Sequence, residues 1–304
     1  MLYTLTLNPS IDYAMQIGDI EIGATNYSKN EYMLPGGKGI NVSRVLSQLD
    51  VPNKALGFIG GHTGKFIEDW LKEENADVDF IPVAGDTRIN VKLKGANETE
   101  INGLGPVISE GEMGQLLEKI EQFTEEDTLI ISGSKNRGIP EDFYLQIIQR
   151  LTANGGTFVM DTNSKELLEA VTYKPLLVKP NQAELGDLFG VTIKTQDEAI
   201  EYGQKLLEKG AQNVIISLGG DGAIFIDQEV TYKADSPTGK VVNTVGAGDS
   251  MIAGFVAGIA QGLSKREAFE LSVQSGSATA FNQDLANKED VYALNNQVKI
   301  REVE

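Results

Sequence analysis

The chain has 304 residues, of which 41% are hydrophobic, so it can bury the core of one large domain or of two smaller ones. Its 44 acidic residues outnumber its 26 basic residues and give a formal net charge of -18, which argues against a nucleic acid or an anionic membrane surface as a partner. The absence of cysteine and the single histidine exclude disulfides, cysteine nucleophiles and multi-histidine zinc sites.

The first residues, MLYTLTLNP, form a short apolar strand pattern that ends at the turn signal Asn8-Pro9. This stretch has neither the basic residues nor the long apolar run of a signal peptide or a membrane span. We therefore expect a cytoplasmic protein.

Strand and helix patterns alternate along most of the chain. After the first strand, further strand patterns cover residues 55–59, 128–131, 157–160, 176–178 and 214–218. Helical patterns cover residues 39–49, 64–74, 110–123, 140–152, 195–209, 247–262 and 265–281. Because the strands are apolar on both faces, the order predicts an α/β fold with a mostly parallel sheet between helices.

Two segments, 13–33 and 87–102, break this alternation. Residues 89, 91 and 93 are apolar and share one strand face, whereas residues 88, 90, 92 and 94 are polar and share the other. We expect an antiparallel strand pair here, and a small β subdomain built from both segments over one edge of the main sheet. The rest of residues 1–304 forms the single larger domain.

The stretch NTVGAGDSMIAGF, residues 243–255, runs from a glycine-rich turn into a helix. Gly246, Ala247 and Gly248 leave their backbone N–H groups uncovered, which suits an anion such as phosphate. Asp249, in the first helical turn, would repel that anion unless it takes a proton, as the base of a phosphoryl transfer does. The alternative is an Asp that only caps the helix.

A second glycine-rich turn, PGGKGIN at residues 35–41, also leads into a helix. Backbone amides of its glycines, the charge of Lys38 and the amide of Asn41 would form an anion or polyol site. The alternative is a tight turn that does no more than start the helix.

Together these two turns resemble the N- and C-terminal signatures of the ribokinase-like pfkB carbohydrate kinases. The similarity extends over nearly the whole chain, through the stretches LTLNPSID, DTRINVK, SGS, KPNQAE, SLGGDG and GSATAFN. The resemblance implies a three-layer α/β/α fold in which the small β sheet is a lid. Asn243 stands where many family members have Asp.

The resemblance also implies roles in the transfer of the γ-phosphate of ATP. Asp249 matches the family's base, and Gly246, Ala247 and Gly248 match its anion hole. The family's Mg²⁺ and ATP-phosphate positions correspond to Lys179, Asn181 and Glu184, where Asn181 and Glu184 would act on the metal partly through water. The nucleotide positions correspond to Ser217, Gly219, Gly222 and Asn282.

On the sugar side, the positions that match the family's are Asp12, Gly37, Lys38, Asn41, Arg88 and Asn90. Lys38, Arg88 and Arg137 are the candidates for holding a phosphate already on the sugar. Lys135-Asn136 replaces the Leu-Pro usual before Arg137, so the turn there departs from the family pattern. Lys135, Asp161 and Lys165 receive no definite role.

Within the family, the motifs are most similar to the branch of 1-phosphofructokinases and tagatose-6-phosphate kinases. The resemblance implies an ATP- and Mg²⁺-dependent kinase that converts fructose 1-phosphate to fructose 1,6-bisphosphate. The alternatives are tagatose 6-phosphate as the substrate and, in another class, a non-catalytic sugar-phosphate sensor. Because related kinases pair their lids, the resemblance also implies a homodimer through the β lid.

Overall fold

A computed structural model describes residues 1–95, 98–162 and 166–303, which fold around a central mixed sheet. Lys165 and residues 96–97 of the predicted lid lie outside the described residues. The strands of the central sheet are β1 (Leu2–Thr6), β4 (Asn53–Ile59), β5 (Asp77–Val78), β6 (Ile81–Pro82), β9 (Thr128–Ser132), β10 (Thr157–Asp161), β11 (Leu177–Val178), β12 (Val214–Ser217), β13 (Ala223–Ile226), β14 (Thr231–Ala234) and β15 (Ile300–Glu302).

The sheet has the strand order β15-β14-β13-β12-β11-β10-β9-β1-β4-β5, and β6 also pairs with β4. Strands β12 to β4 along this order run parallel, whereas β12 to β15 pair antiparallel at the other edge. The six strand patterns predicted from the sequence all form strands. The antiparallel edge was not predicted.

Helices cover both faces of the central sheet. They are α1 (Lys38–Gln48), α2 (Gly61–Glu73), α3 (Glu110–Ile120), α4 (Phe143–Ala153), α5 (Leu167–Ala170), α6 (Gln182–Phe189), α7 (Gln196–Lys209), α8 (Ala247–Ala260), α9 (Lys265–Ala280) and α10 (Lys288–Tyr292). The seven predicted helical patterns correspond to α1 to α4 and α7 to α9. None of the helices in the described ranges has the length and apolar character needed to span a membrane.

The central strands are buried on both faces, which explains their uninterrupted apolar runs. Leu129 and Ile131 of β9 belong to the core under α3 and α4, whereas Ile130 belongs to the core under α8 and α9. The three side chains have no exposed surface. The sequence prediction of a mostly parallel sheet between two helical layers is confirmed.

Helix α8 carries Asp249 and lies almost wholly within the protein. Apart from Asp249 and Ser250, its sequence AGDSMIAGFVAGIA is apolar all round, as expected for a buried helix. A Cβ on Gly254 would lie 2.6 Å from the Leu271 carbonyl oxygen, and one on Gly258 would lie 2.7 Å from the Ala268 Cα. These glycines let α9 pack directly against the α8 backbone and so fix the helix that carries Asp249.

A second, small sheet consists of β2 (Ser10–Gln16), β3 (Asn30–Gly36), β7 (Arg88–Lys94) and β8 (Glu98–Asn102), in the order β3-β2-β7-β8. Strand β2 begins three residues before the first predicted segment, 13–33, and β3 ends three residues after it. Strands β7 and β8 form the expected antiparallel pair. Along this sheet Asp12 and Asn90 lie side by side on one face. Tyr13 and Val91 lie side by side on the other.

Candidate active site

Two adjoining cavities open at the carboxyl ends of the parallel strands. The main cavity, about 610 Å³, lies between the small sheet and the N-termini of α1 and α8 and is lined mostly by polar and charged groups. The second, about 310 Å³, is lined largely by apolar groups from α8, α9 and β13, and we call it the apolar cavity. The two share Asn181, Ser217 and Gly248. Asp249 lines the main cavity beside this junction.

The N-terminus of α8 supplies backbone donors at the junction. Gly246 is the N-cap, with a φ of 80° that favours glycine, and the helix begins at Ala247. The amides of the first helical turn have no acceptor within the helix. The Ala247 amide donates to the Thr244 carbonyl at 3.3 Å, so Gly248 offers the freer donor. The Lys179 side chain lies next to Gly248: a Cβ built on this glycine would be 3.1 Å from Lys179 Nζ.

Asp249 is 6% exposed and has the properties of a base. Its Oδ2 accepts a hydrogen bond of 2.8 Å from Asn41 Nδ2. Burial, and then the charge of Asp161, raise the pKa of Asp249 to about 6, against the hydrogen bond from Asn41 and the charges of Lys38 and Lys179. The carboxylate is therefore ionised at neutral pH and far more basic than an exposed Asp.

Asp161, at the end of β10, lies between two lysines of the main cavity. Its Oδ2 is 3.1 Å from Lys38 Nζ and its Oδ1 is 3.7 Å from Lys179 Nζ. Burial by itself would lower the pKa of Lys38. The negative charges of Asp161, Asp249 and Glu184 outweigh the effect of burial, so the Lys38 pKa is raised. Lys38 therefore remains charged. Both lysine side chains line the main cavity together with Gly248 of the α8 N-terminus, where they can bind phosphate oxygens.

The Asp12 side chain, on the face of the small sheet that lines the main cavity, is held by three donors. Its Oδ1 accepts from Ser10 Oγ at 2.9 Å and from Asn90 Nδ2 at 3.0 Å, and its Oδ2 lies 3.0 Å from Lys92 Nζ. The chain packs closely here, since a Cβ on Gly36 would lie 2.5 Å from Asp12 Oδ1. The carboxylate is thus fixed in one orientation inside the main cavity.

Several buried polar atoms around the main cavity have no hydrogen-bond partner among the described residues. They include Asn8 Oδ1, Asn90 Oδ1, Thr6 Oγ1 and Arg88 Nε. Arg88 donates through Nη1 to the Gly103 carbonyl at 3.1 Å, and burial lowers its pKa against the charge of Asp12. Unpaired buried donors and acceptors cost free energy, which a ligand rich in hydroxyl and phosphate oxygens would recover.

Asn181 and Glu184 form a reciprocal capping box at the start of α6. The Glu184 amide donates to Asn181 Oδ1 and the Asn181 amide to Glu184 Oε2, each at 2.8 Å. Each side chain also lines the main cavity. No cluster of three or more acidic or histidine side chains able to enclose a metal occurs in the described ranges. Isolated carboxylates of this kind fit Mg²⁺, which keeps several waters and phosphate oxygens as ligands.

Most predicted site residues line one of the two cavities. The main cavity brings together Asp12, Gly37, Lys38, Asn41, Arg88, Asn90, Lys179, Asn181, Glu184, Ser217, Gly246, Gly248 and Asp249. The apolar cavity brings together Asn181, Ser217, Gly219, Gly222, Ala247 and Gly248.

Arg137 and Asn282 line neither cavity. Arg137 is exposed and donates to the Gly105 carbonyl at 3.2 Å. Asn282 Nδ2 turns back to the Ala278 carbonyl at 3.0 Å. Lys135 pairs instead with Glu166, at an Nζ–Oε2 distance of 2.5 Å.

Sequence reasoning missed other residues of the main cavity, among them Thr6, Ser10, Lys92, Glu100 and Thr162. Lys92 shares the polar strand face with Arg88 and Asn90, so the period of two was the signal that could have found it. Phe281, next to Asn282, lines the apolar cavity.

The family model for "pfkB family carbohydrate kinase" matches residues 5–290. The chain belongs to the pfkB family. As a pfkB carbohydrate kinase it is an enzyme that uses ATP as the phosphoryl donor, and the predicted class is confirmed.

Three relatives illustrate the similarity of this pfkB kinase to known proteins. It is 48% identical over 300 residues to a 1-phosphofructokinase of Bacillus subtilis, with 99% of each chain covered. It is 39% identical to a D-tagatose-1-phosphate kinase of Bacillus licheniformis, again over 99% of each chain. Its structure is similar to that of phosphofructokinase-2 from Escherichia coli in complex with substrates and products, with a TM-score of 0.90, 31% identity, and 96% and 97% of the two chains covered.

Proposed function

We propose that this kinase transfers the γ-phosphoryl group of ATP to the 6-hydroxyl of fructose 1-phosphate and so makes fructose 1,6-bisphosphate. The observation that carries the proposal is the junction of the two cavities at the N-terminus of α8, with Asp249 on the side of the polar cavity. The apolar cavity suits an adenine ring, and the main cavity suits a sugar phosphate. The 48% identity to a 1-phosphofructokinase supports the choice of sugar.

In the proposed reaction, Asp249 accepts the proton of the 6-hydroxyl as its oxygen attacks the γ-phosphorus. The bond from that phosphorus to the bridging oxygen breaks, and ADP leaves with the electron pair. The amides of the α8 N-terminus stabilise the charge on the transferring group, and Lys38 and Lys179 assist them. Asn41 orients the Asp249 carboxylate through their hydrogen bond.

We also propose that Mg²⁺ binds with ATP near Glu184 and Asn181, partly through water. The capping box uses Glu184 Oε2 and Asn181 Oδ1, which leaves Glu184 Oε1 to bind the ion or one of its waters and Asn181 Nδ2 to donate to a phosphate oxygen. Both side chains line the main cavity. The ion would neutralise the charge of the ATP phosphates in a protein with a net charge of -18.

On the sugar side, Asp12 and Asn90 Oδ1, which has no partner in the described part of the chain, would accept hydrogen bonds from hydroxyl groups. Arg88, whose Nε has no partner among the described residues, would donate to the phosphate already on the sugar. In this proposal the small sheet is a lid, because its inward face supplies all three side chains.

The test is a steady-state comparison of kcat/KM by ADP release with fructose 1-phosphate, fructose 6-phosphate, tagatose 1-phosphate and tagatose 6-phosphate. We expect the highest value with fructose 1-phosphate. Tagatose 1-phosphate is the second candidate, favoured by the 39% identity to a tagatose-1-phosphate kinase. A clear preference for either 6-phosphate would contradict the proposed substrate, and the absence of ADP release with every sugar phosphate would favour a sensor.

We further propose that two chains pair through the outer face of the small sheet. Met33, Tyr13, Val91 and Ile101 are in register across its four strands. Met33 is 45% exposed and Ile101 is 59% exposed, so the sheet turns its apolar face outward and its polar face toward the cavity. A second copy of the chain would cover this face.

Size-exclusion chromatography with light scattering at micromolar concentration tests the pairing. We expect a homodimer for the wild type and a monomer for Ile101→Lys. Ile22→Lys is the matched control, because Ile22 is 95% exposed but lies in a loop outside the sheet. A monomeric wild type, or a dimer that Ile101→Lys leaves intact, would contradict the proposal.

A further inference from the structure

Behind the active site, the buried Arg44 joins two partly exposed carboxylates in an ion cluster that none of the roles above uses. Its guanidinium donates to both oxygens of Glu74, at 2.8 and 2.9 Å, and to both oxygens of Asp284, at 3.1 and 2.7 Å. Arg44 is 4% exposed. Burial opposes its charge, but the hydrogen bonds with Glu74 and Asp284 outweigh this and raise its pKa. The arginine is therefore a fixed cation on α1.

Asp284 lies between α9 and α10, and both of its neighbours contact the glycine-rich turn before α8. The Gln283 carbonyl accepts a hydrogen bond of 3.1 Å from Asn243 Nδ2. A Cβ on Gly246 would lie 2.6 Å from Leu285 Cδ2, so the Leu285 side chain packs on Gly246 itself. Fixing Asp284 therefore fixes two of the contacts of the turn, in addition to the hydrogen bond of 3.2 Å that the Asn243 amide donates to the Ala280 carbonyl.

The same helix also holds the base. Asn41 and Arg44 are three residues apart on α1, so they lie on one face of that helix. Asn41 bonds to Asp249 directly, whereas Arg44 reaches the turn through Asp284. Helix α1 thus sets the position of the base relative to the backbone donors of the α8 N-terminus.

Ion pairs contribute little net stability whether they are exposed or buried, so the value of this cluster lies in the geometry that it imposes. Stabilisation by preorganised amides depends on geometry, and a displacement of about 1 Å can lower a rate about a hundredfold. We infer that Arg44 and Asp284 are positioning residues for the anion-hole turn of residues 243–248. The inference rests on the proposed phosphoryl transfer at Asp249.

The matched variants are Asp284→Ala and Glu74→Ala, because each removes one of the two carboxylates of Arg44 and only Asp284 adjoins the turn. We expect Asp284→Ala to lower kcat about tenfold, with the KM for the sugar phosphate and the apparent pKa of the acid limb of kcat/KM unchanged. Glu74→Ala should keep kcat within about twofold. Asp284→Asn, which keeps one acceptor for Arg44, should recover part of the lost kcat.

Equal losses of kcat in Asp284→Ala and Glu74→Ala would overturn the inference, because the cluster would then act on the fold as a whole. So would an unchanged kcat in Asp284→Ala, or a change in KM alone. Thermal unfolding of each variant shows that folded proteins are compared. Failure of the wild type to use fructose 1-phosphate would instead overturn the proposed substrate. The kcat values of Asp284→Ala and Glu74→Ala would then be compared on the sugar phosphate that the wild type turns over fastest.

Discussion

Replacing Asp249 with Asn should strongly lower turnover and at the same time stabilise the protein. The substitution keeps the shape of the side chain and an oxygen that can accept from Asn41, but it removes the base. We expect kcat to fall by about three orders of magnitude or more, with little change in sugar-phosphate affinity, as for a group that acts in the transition state.

The gain in stability follows from the pKa of the buried carboxyl. Burial and the charge of Asp161 raise that pKa from 3.8 to about 6. A carboxyl with a raised pKa stabilises the folded state below pH 3.8, where it is protonated in both states, and this contribution is lost as the pH rises through 6. Above that pH, the ionised group costs about 3 kcal/mol, which Asn would not.

The assay is urea unfolding of the wild type and Asp249→Asn from pH 5 to pH 8, at one protein concentration because pairing of chains would add to stability. The variant should be more stable by up to about 3 kcal/mol at the upper end, with a difference that shrinks toward pH 5. The matched control is Asp227→Asn. Asp227 is also buried, but its pKa is lowered: the hydrogen bond from Lys265 and those from the Val230 and Glu229 amides outweigh burial.

Asp227→Asn should therefore destabilise the protein at neutral pH, with the difference shrinking as the pH falls, and should leave kcat close to that of the wild type. Near-normal turnover by Asp249→Asn would remove Asp249 as the base. Equal stability of Asp249→Asn and the wild type at pH 8 would refute the argument from burial, whatever the kinetics.

Three further predictions concern the cavity. Arg88→Ala should raise the KM for the sugar phosphate about 10- to 100-fold, because about 1.5–3 kcal/mol of charge-assisted hydrogen bonding is lost, and should have little effect on the KM for ATP. Replacement of the exposed Arg137 with Ala should change the KM for the sugar phosphate far less, and equal effects of Arg88→Ala on the two substrates would contradict a sugar-side role. Asp161→Asn removes a charge that raises the Asp249 pKa, so the acid limb of the kcat/KM profile should move to lower pH; an upward or absent movement would show that Asp161 acts otherwise. Gly246→Ala places a methyl group on a backbone with a φ of 80° and against the Leu285 side chain, so kcat should fall more than about tenfold. An unchanged kcat would argue against the turn as the anion hole.

The fold class was readable from the sequence because both faces of the parallel strands are buried. Strands such as β9 therefore appear as continuous apolar runs between amphipathic helices. The antiparallel edge was missed because β13 and β14 have four residues each, too short for a pattern of period two to stand out. Helix α6 was missed for a related reason: it has eight residues, and its capping box coincides with the KPN-x-x-E motif that was interpreted only as a ligand site.

The sequence by itself determined the family and the kinase class, because the two glycine-rich turns and Asp249 are local: a few adjacent residues create the bare amides and the carboxylate. Only the tertiary structure decided which distant side chains act on them. Asp161 and Arg44 lie far from Asp249 in the chain, and neither the raised pKa of the base nor the contact from Arg44 through Asp284 leaves a sequence pattern. Electrostatic coupling and packing depend on distances in space, which arise only when the sheet brings these strands and helices together.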